Sequence, residues 1–131
     1  DVIVKTLTFH VSAQNVQLDP AGYRLVTSAD ENAELACSST ATTGDITVTC
    51  SGIDSSTMQS RIGQGQWVIY KLKANVTKTS IGSGISTLIV ELPVLGSRAQ
   101  TNSILWSDEI TDVTWVDVPV LSVQSTVYRT R

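Results

Sequence analysis

Charge is scarce in this chain. Asp, Glu, Lys and Arg make up 16% of 131 residues, where an average soluble domain carries roughly 25%. The net charge is −3, and no stretch clusters Lys or Arg. Such a surface cannot neutralise a run of phosphates, so nucleic acid is not an expected partner. One histidine is present, His10, and the two cysteines form no CxxC motif. A zinc or redox site needs more ligands at closer spacing. No apolar run approaches the roughly 18 residues of a membrane-spanning helix, so membrane insertion is not expected. The single methionine is Met58, the chain opens on Asp1, and no signal-peptide pattern is read within it. A processed chain, or a piece cut from a longer one, is the expectation.

What is present favours strands. Hydrophobic residues reach 41%, enough for a core, so composition does not imply disorder. Thr, Ser, Val and Ile are abundant, a mixture that supports strands and turns better than helices. The length suits one domain spanning residues 1–131.

The segment LACSSTATTGDITVTCSG holds both cysteines, Cys37 and Cys50. If they face each other in a hairpin, every cross-strand pair has residue numbers summing to 87. The turn is then centred between Thr43 and Gly44, and glycine accepts a positive φ there. Counting outward from a two-residue turn, Thr42 and Asp45 form the first hydrogen-bonded pair. Alternation then puts Cys37 and Cys50 at a non-hydrogen-bonded pair, where side chains come closest. Periodicity agrees: Ile46, Val48 and Cys50 share one face, while Asp45, Thr47, Thr49 and Ser51 share the other. The alternative is two buried free thiols. A disulfide points to an oxidising setting: a cell surface, the extracellular space or a periplasm.

Strand signals recur along the chain. VIVKTLTFHV (2–11) places Ile3, Leu7, Phe9 and Val11 on one side, with Lys5 interrupting. Val16 and Leu18 precede a turn at Asp19-Pro20-Ala21-Gly22, and YRLVT (23–27) follows. A connection at 55–66 has room for one helical turn. WVIYKLKANV (67–76) reads as the longest strand, with Val68, Tyr70, Leu72, Ala74 and Val76 toward the core. ISTLIVELPVL (85–95) carries Leu88, Val90, Leu92 and Val94 in phase, and Pro93 marks a bulge or an edge. SILW (103–106), DVTWVDV (112–118) and LSVQSTVYR (121–129) complete the series. Seven to nine short strands without an amphipathic helix predict an all-β fold, an antiparallel immunoglobulin-like β-sandwich. No Trp lies between the cysteines, so the disulfide is expected to staple one hairpin and not to join two sheets.

The phrases KTLTFHVSAQNVQL, YRLVTSADEN, GDITVTCSGID, IGQGQWVIYKLKANVT and NSILWSDEIT occur in that order. Over roughly residues 3–110 the series resembles the immunoglobulin-like modules of bacterial surface-layer and other large cell-surface proteins. After Asp108 the chain departs from that pattern and continues as strand. The resemblance implies an extracellular structural or adhesive role without enzymatic activity.

Several sets of residues are weighed as candidate sites. Asp30, Glu31, Asn32 and Glu34 in one loop, and Asp108, Glu109 and Asp112 in another, offer oxygen ligands of the kind calcium takes. Solvated loops are the favoured alternative for both. Trp67, Trp106 and Trp115 are candidate sugar-stacking aromatics, although Trp also serves in cores. Trp67 lies opposite the core face of its strand. His10 sits on the more polar face of the first strand, without a nearby carboxylate in sequence, and reads as a surface residue. Asn75-Val76-Thr77 fits a glycosylation sequon. LPVLG (92–96) has Leu where a sortase signal needs Thr. Finally, the first strand, residues 1–11 with Ile3, Leu7, Phe9 and Val11, can pair at home or be exchanged with a neighbour. The expected partners are copies of the chain or neighbouring surface-protein domains. A carbohydrate- or receptor-binding module is the alternative.

Overall fold

The computed structural model describes residues 1–93, 95–96, 103–117 and 123–130, the side chains at 123–126 and 130 excepted. Parts of the expected strands at 85–95, 112–118 and 121–129 lie outside the described residues. Within them the chain is all-β and antiparallel, as the residue pattern predicts. The strands are β1 (Val2–Gln14), β2 (Val16–Leu18), β3 (Arg24–Thr27), β4 (Leu35–Ala36), β5 (Ser38–Ser39), β6 (Gly44–Ser51), β7 (Arg61–Ile62), β8 (Tyr70–Lys73), β9 (Val76–Thr79), β10 (Ser86–Leu92), β11 (Ile104–Ser107), β12 (Asp112–Val113) and β13 (Val123–Thr130). One 3-10 turn, Ile53–Ser55, is the only helical element among the described residues, just ahead of the connection expected to hold it. Among the described residues eight strands have four residues or more and five have two or three.

β1 is the spine of an eight-stranded sheet. One edge pairs with β6 over Thr6–Ala13 and with β7 over Val2–Ile3. The other pairs with β11 over Ile3–Leu7 and with β10 over His10–Gln14. β13 flanks β10, β12 flanks β11, and β5 flanks β6. Against this sheet lie a three-stranded sheet, β4–β3–β8, and a two-stranded one, β2–β9. Between them sits one core: Leu7, Phe9, Val11 and Ala13 from β1, Ile46, Val48 and Cys50 from β6, Tyr23 and Leu25, and Val16 and Leu18.

The first strand thus pairs within its own chain along both edges. Its inner face is not quite the expected one. Leu7, Phe9 and Val11 are buried, but Val4 is buried in place of Ile3, which is only half-covered. The register of β1 against β11 shifts between Val4 and Thr6. The extra residue, Lys5, is a bulge that flips the side-chain alternation.

Cys37 and Cys50 are bonded, with Cα atoms 4.4 Å apart, the spacing of a non-hydrogen-bonded pair. The β5–β6 pairs Ser38↔Thr49 and Ser39↔Val48 keep the expected sum of 87. The Thr40 N–H donates to Thr47 O at 3.2 Å, which extends the register outward. The tight two-residue turn does not form. Thr42 O instead accepts the Leu18 N–H at 2.8 Å, and the Thr43 hydroxyl donates to Val16 O at 2.9 Å. The β1–β2 corner draws the loop away from the hairpin axis. Gly44 still takes the positive φ, 75°.

The expected long strand 67–76 is two strands in two sheets. β8 ends at Lys73 and β9 begins at Val76. Between them Asn75 O accepts the Asp19 N–H at 2.9 Å, and the Asn75 side chain packs on Gly22. The Asp19–Gly22 turn therefore captures the chain and sends it across to β2.

Candidate functional site

The two layers differ in width. Level with residues 10–13 of β1, the large sheet runs β6–β1–β10–β13, while the facing sheet stops at β8. Beyond β8, Leu88 and Val90 of β10 and Tyr128 of β13 face a groove. The groove holds about 560 Å³, and Phe9, Val11, Leu18, Tyr70, Leu72 and Val76 are among the other residues that line it. This explains a failed expectation: Tyr70 and Leu72 are only half-buried, and Ala74 and Val76 are exposed, although all are in phase with the core.

The edge of β8 toward this opening is unpaired among the described residues. The Ser28 N–H donates to Ile69 O at 3.0 Å, so 28 and 69 form a hydrogen-bonded pair. By alternation, Val26↔Lys71 and Arg24↔Lys73 are hydrogen-bonded too. Tyr70 and Leu72 then turn their backbone N–H and C=O groups outward. Tyr23, another lining residue, is fully buried, and its hydroxyl has no hydrogen-bond partner among the described residues. Burial pushes that hydroxyl's pKa up to about 12. Burial does the same to Tyr70, also to about 12, but the Tyr70 hydroxyl donates to Gln59 O at 2.9 Å.

The candidate calcium ligands are engaged within their own loops or by basic side chains. Asp30 accepts the Asn32 N–H, Glu31 pairs with Lys71 at 2.7 Å, and Glu34 lies 3.5 Å from Lys73. Lys71 holds the Glu31 carboxyl below its ordinary pKa. Asp108 accepts the N–H groups of Thr111 and Ile110, which lower its pKa in that order of weight. Asp112 accepts from Lys5 at 2.7 Å and so raises the lysine's pKa. Glu109 pairs with Arg61. Among the described residues no three His, Cys, Asp or Glu side chains converge on a metal position.

Of the three tryptophans, Trp106 donates its indole N–H to Trp115 O at 2.8 Å, and both are half-buried. Trp67 is 75% exposed, on the side expected for it. Asn75 of the sequon is exposed between β8 and β9. Sequence spacing missed the surroundings of His10. Strand pairing puts its Nδ1 3.0 Å from Glu91 Oε1 and its Nε2 3.5 Å from Asp45 Oδ1. The only signal for that contact was register between strands far apart in sequence.

No family model matches this sequence, and neither a curated protein nor a solved structure shows a significant likeness to it.

Proposed function

We propose that the chain is a non-enzymatic, extracellular structural or adhesive subunit that assembles into a surface layer, filament or fibre by β-strand pairing. One observation carries the reading: a disulfide-stapled sandwich leaves strand edges open, among the described residues, at β8, β12 and β13. Open edges present rows of unused backbone donors and acceptors, which template pairing with another chain. The disulfide adds the oxidising setting. β1 is held on both sides within its own chain, so these free edges are the surfaces proposed for pairing between copies. The sequence resemblance to surface-protein modules points the same way. The test is light scattering and negative-stain imaging of the oxidised chain over a concentration series. Regular polymers are expected, and a monomer at every concentration refutes the reading.

A carbohydrate-binding module is the second reading, favoured by one observation, the exposure of Trp67. A glycan array probed with the wild type and with Trp67→Ala tests it. Sugar binding lost in the variant would support it.

A further inference from the structure

We infer that the groove beside β8 is the acceptor for the β11–β12 end of a second copy of this chain. The inference rests on the assembly reading above and names both surfaces it would use.

The acceptor has two features that ask for a polypeptide guest. Tyr70 and Leu72 offer outward backbone groups in strand geometry. Leu72, Leu88, Val90 and Tyr128 offer an uncovered apolar lining. A small apolar molecule could fill the space, but only a strand also uses the β8 edge.

Charge selects the guest. Lys71, Lys73 and Lys78, three of the four lysines, lie on β8 and β9. Pairing β8 with the β8 of another copy would set lysines against lysines, which is unfavourable. The acidic counterpart is the β11–β12 hairpin, with Asp108, Glu109 and Asp112. β11 pairs with residues 3–7 of β1, whereas the groove lies over residues 9–11, toward the other end of that strand. The hairpin's turn carries Ile110, 91% exposed, the most exposed large apolar side chain among the described residues. β12, two residues long, pairs only with β11 among the described residues, and among them its other edge is open. In the inferred contact Ile110 enters the groove, β12 adds to β8, and the carboxylates meet the lysines. On both surfaces some of these charges already have partners, Lys71 with Glu31 and Lys73 with Glu34 on one, Asp112 with Lys5 and Glu109 with Arg61 on the other; all four pairs lie on exposed or partly exposed surface, where ion pairs are weak and partner exchange costs little. The two surfaces differ, so the contact is heterologous and can repeat without closing. That is the geometry of a filament.

Ile110 is so exposed that replacing it leaves the fold intact, which makes it the test. Sedimentation and light scattering would compare the wild type with Ile110→Asp, and amide hydrogen exchange would be read at Tyr70 and Leu72. The inference expects assembly weakened about tenfold or more in the variant. It also expects exchange at both amides slowed about tenfold or more in wild-type assemblies. Assembly that ignores the substitution and leaves both amides unprotected overturns the inference while the assembly reading stands. A wild type that stays monomeric at all concentrations overturns both. A monomer that takes up Nile red in the groove assigns the space to a small apolar ligand and likewise overturns the inference.

Discussion

His10 and Glu91 face each other across the β1–β10 ladder, with Nδ1 and Oε1 3.0 Å apart. Eighty-one residues separate them in sequence. The contact sits on the outer face of the large sheet, partly exposed on both sides. A direct cross-strand pair of this kind contributes about 0.2–1 kcal/mol. A double-mutant cycle with His10→Ala and Glu91→Ala, read by urea denaturation, should return a coupling in that range.

The disulfide predicts a larger effect. Cys37 and Cys50 close a short loop, and removing such a link costs about 3 kcal/mol in the chain-entropy model. Cys37→Ala with Cys50→Ala, or reduction of the native chain, should lower the urea midpoint accordingly.

Two isoleucines separate core from surface. Ile46 is fully buried on β6 and Ile110 is almost fully exposed. Ile46→Ala should destabilise by roughly 2–5 kcal/mol through lost burial and a cavity. Ile110→Ser should change monomer stability by no more than about 0.5 kcal/mol. Thermal unfolding of both variants checks the contrast.

Tyr23 makes a prediction of opposite sign. Its hydroxyl is buried without a partner among the described residues, so Tyr23→Phe should stabilise the monomer by about 1 kcal/mol. The folded pKa, pushed up to about 12 by burial, lies above the ordinary tyrosine value of 10.0. The neutral form is the one the fold favours. That contribution is therefore complete below about pH 10 and is lost as pH rises toward 12. Tyr23→Phe should show a smaller loss of stability over that window, followed by circular dichroism.

Asp108 acts at the acid end. Backbone N–H groups of Thr111 and Ile110 hold its pKa below the ordinary aspartate value. A depressed carboxyl pKa adds stability above the unfolded value and loses it as pH falls through the folded one. Asp108→Ala should free the β11–β12 turn at neutral pH. The wild type should do so only in acid. Hydrogen exchange at Ile110 and Thr111 reads both.

By itself the sequence determined the class of fold, the disulfide and the register around it. Alternation in 44–51 sorted Ile46, Val48 and Cys50 from their polar neighbours, and the pair sum of 87 followed from two cysteines facing each other. These are local quantities: a strand's period is two wherever it lies, and a hairpin's register depends on one short segment. The exposure of Trp67 was legible for the same reason. Tertiary structure alone decided the rest. Capture by the Asp19–Gly22 turn split 67–76 into β8 and β9, and a bulge at Lys5 traded Ile3 for Val4. The groove and the His10–Glu91 contact depend on how many strands each layer holds and which lie side by side. Alternation marks Leu72, Leu88 and Val90 as inward-facing, but it cannot say whether a strand covers them. Coverage is a property of neighbours brought together from distant parts of the chain, and here the second layer ends one strand short.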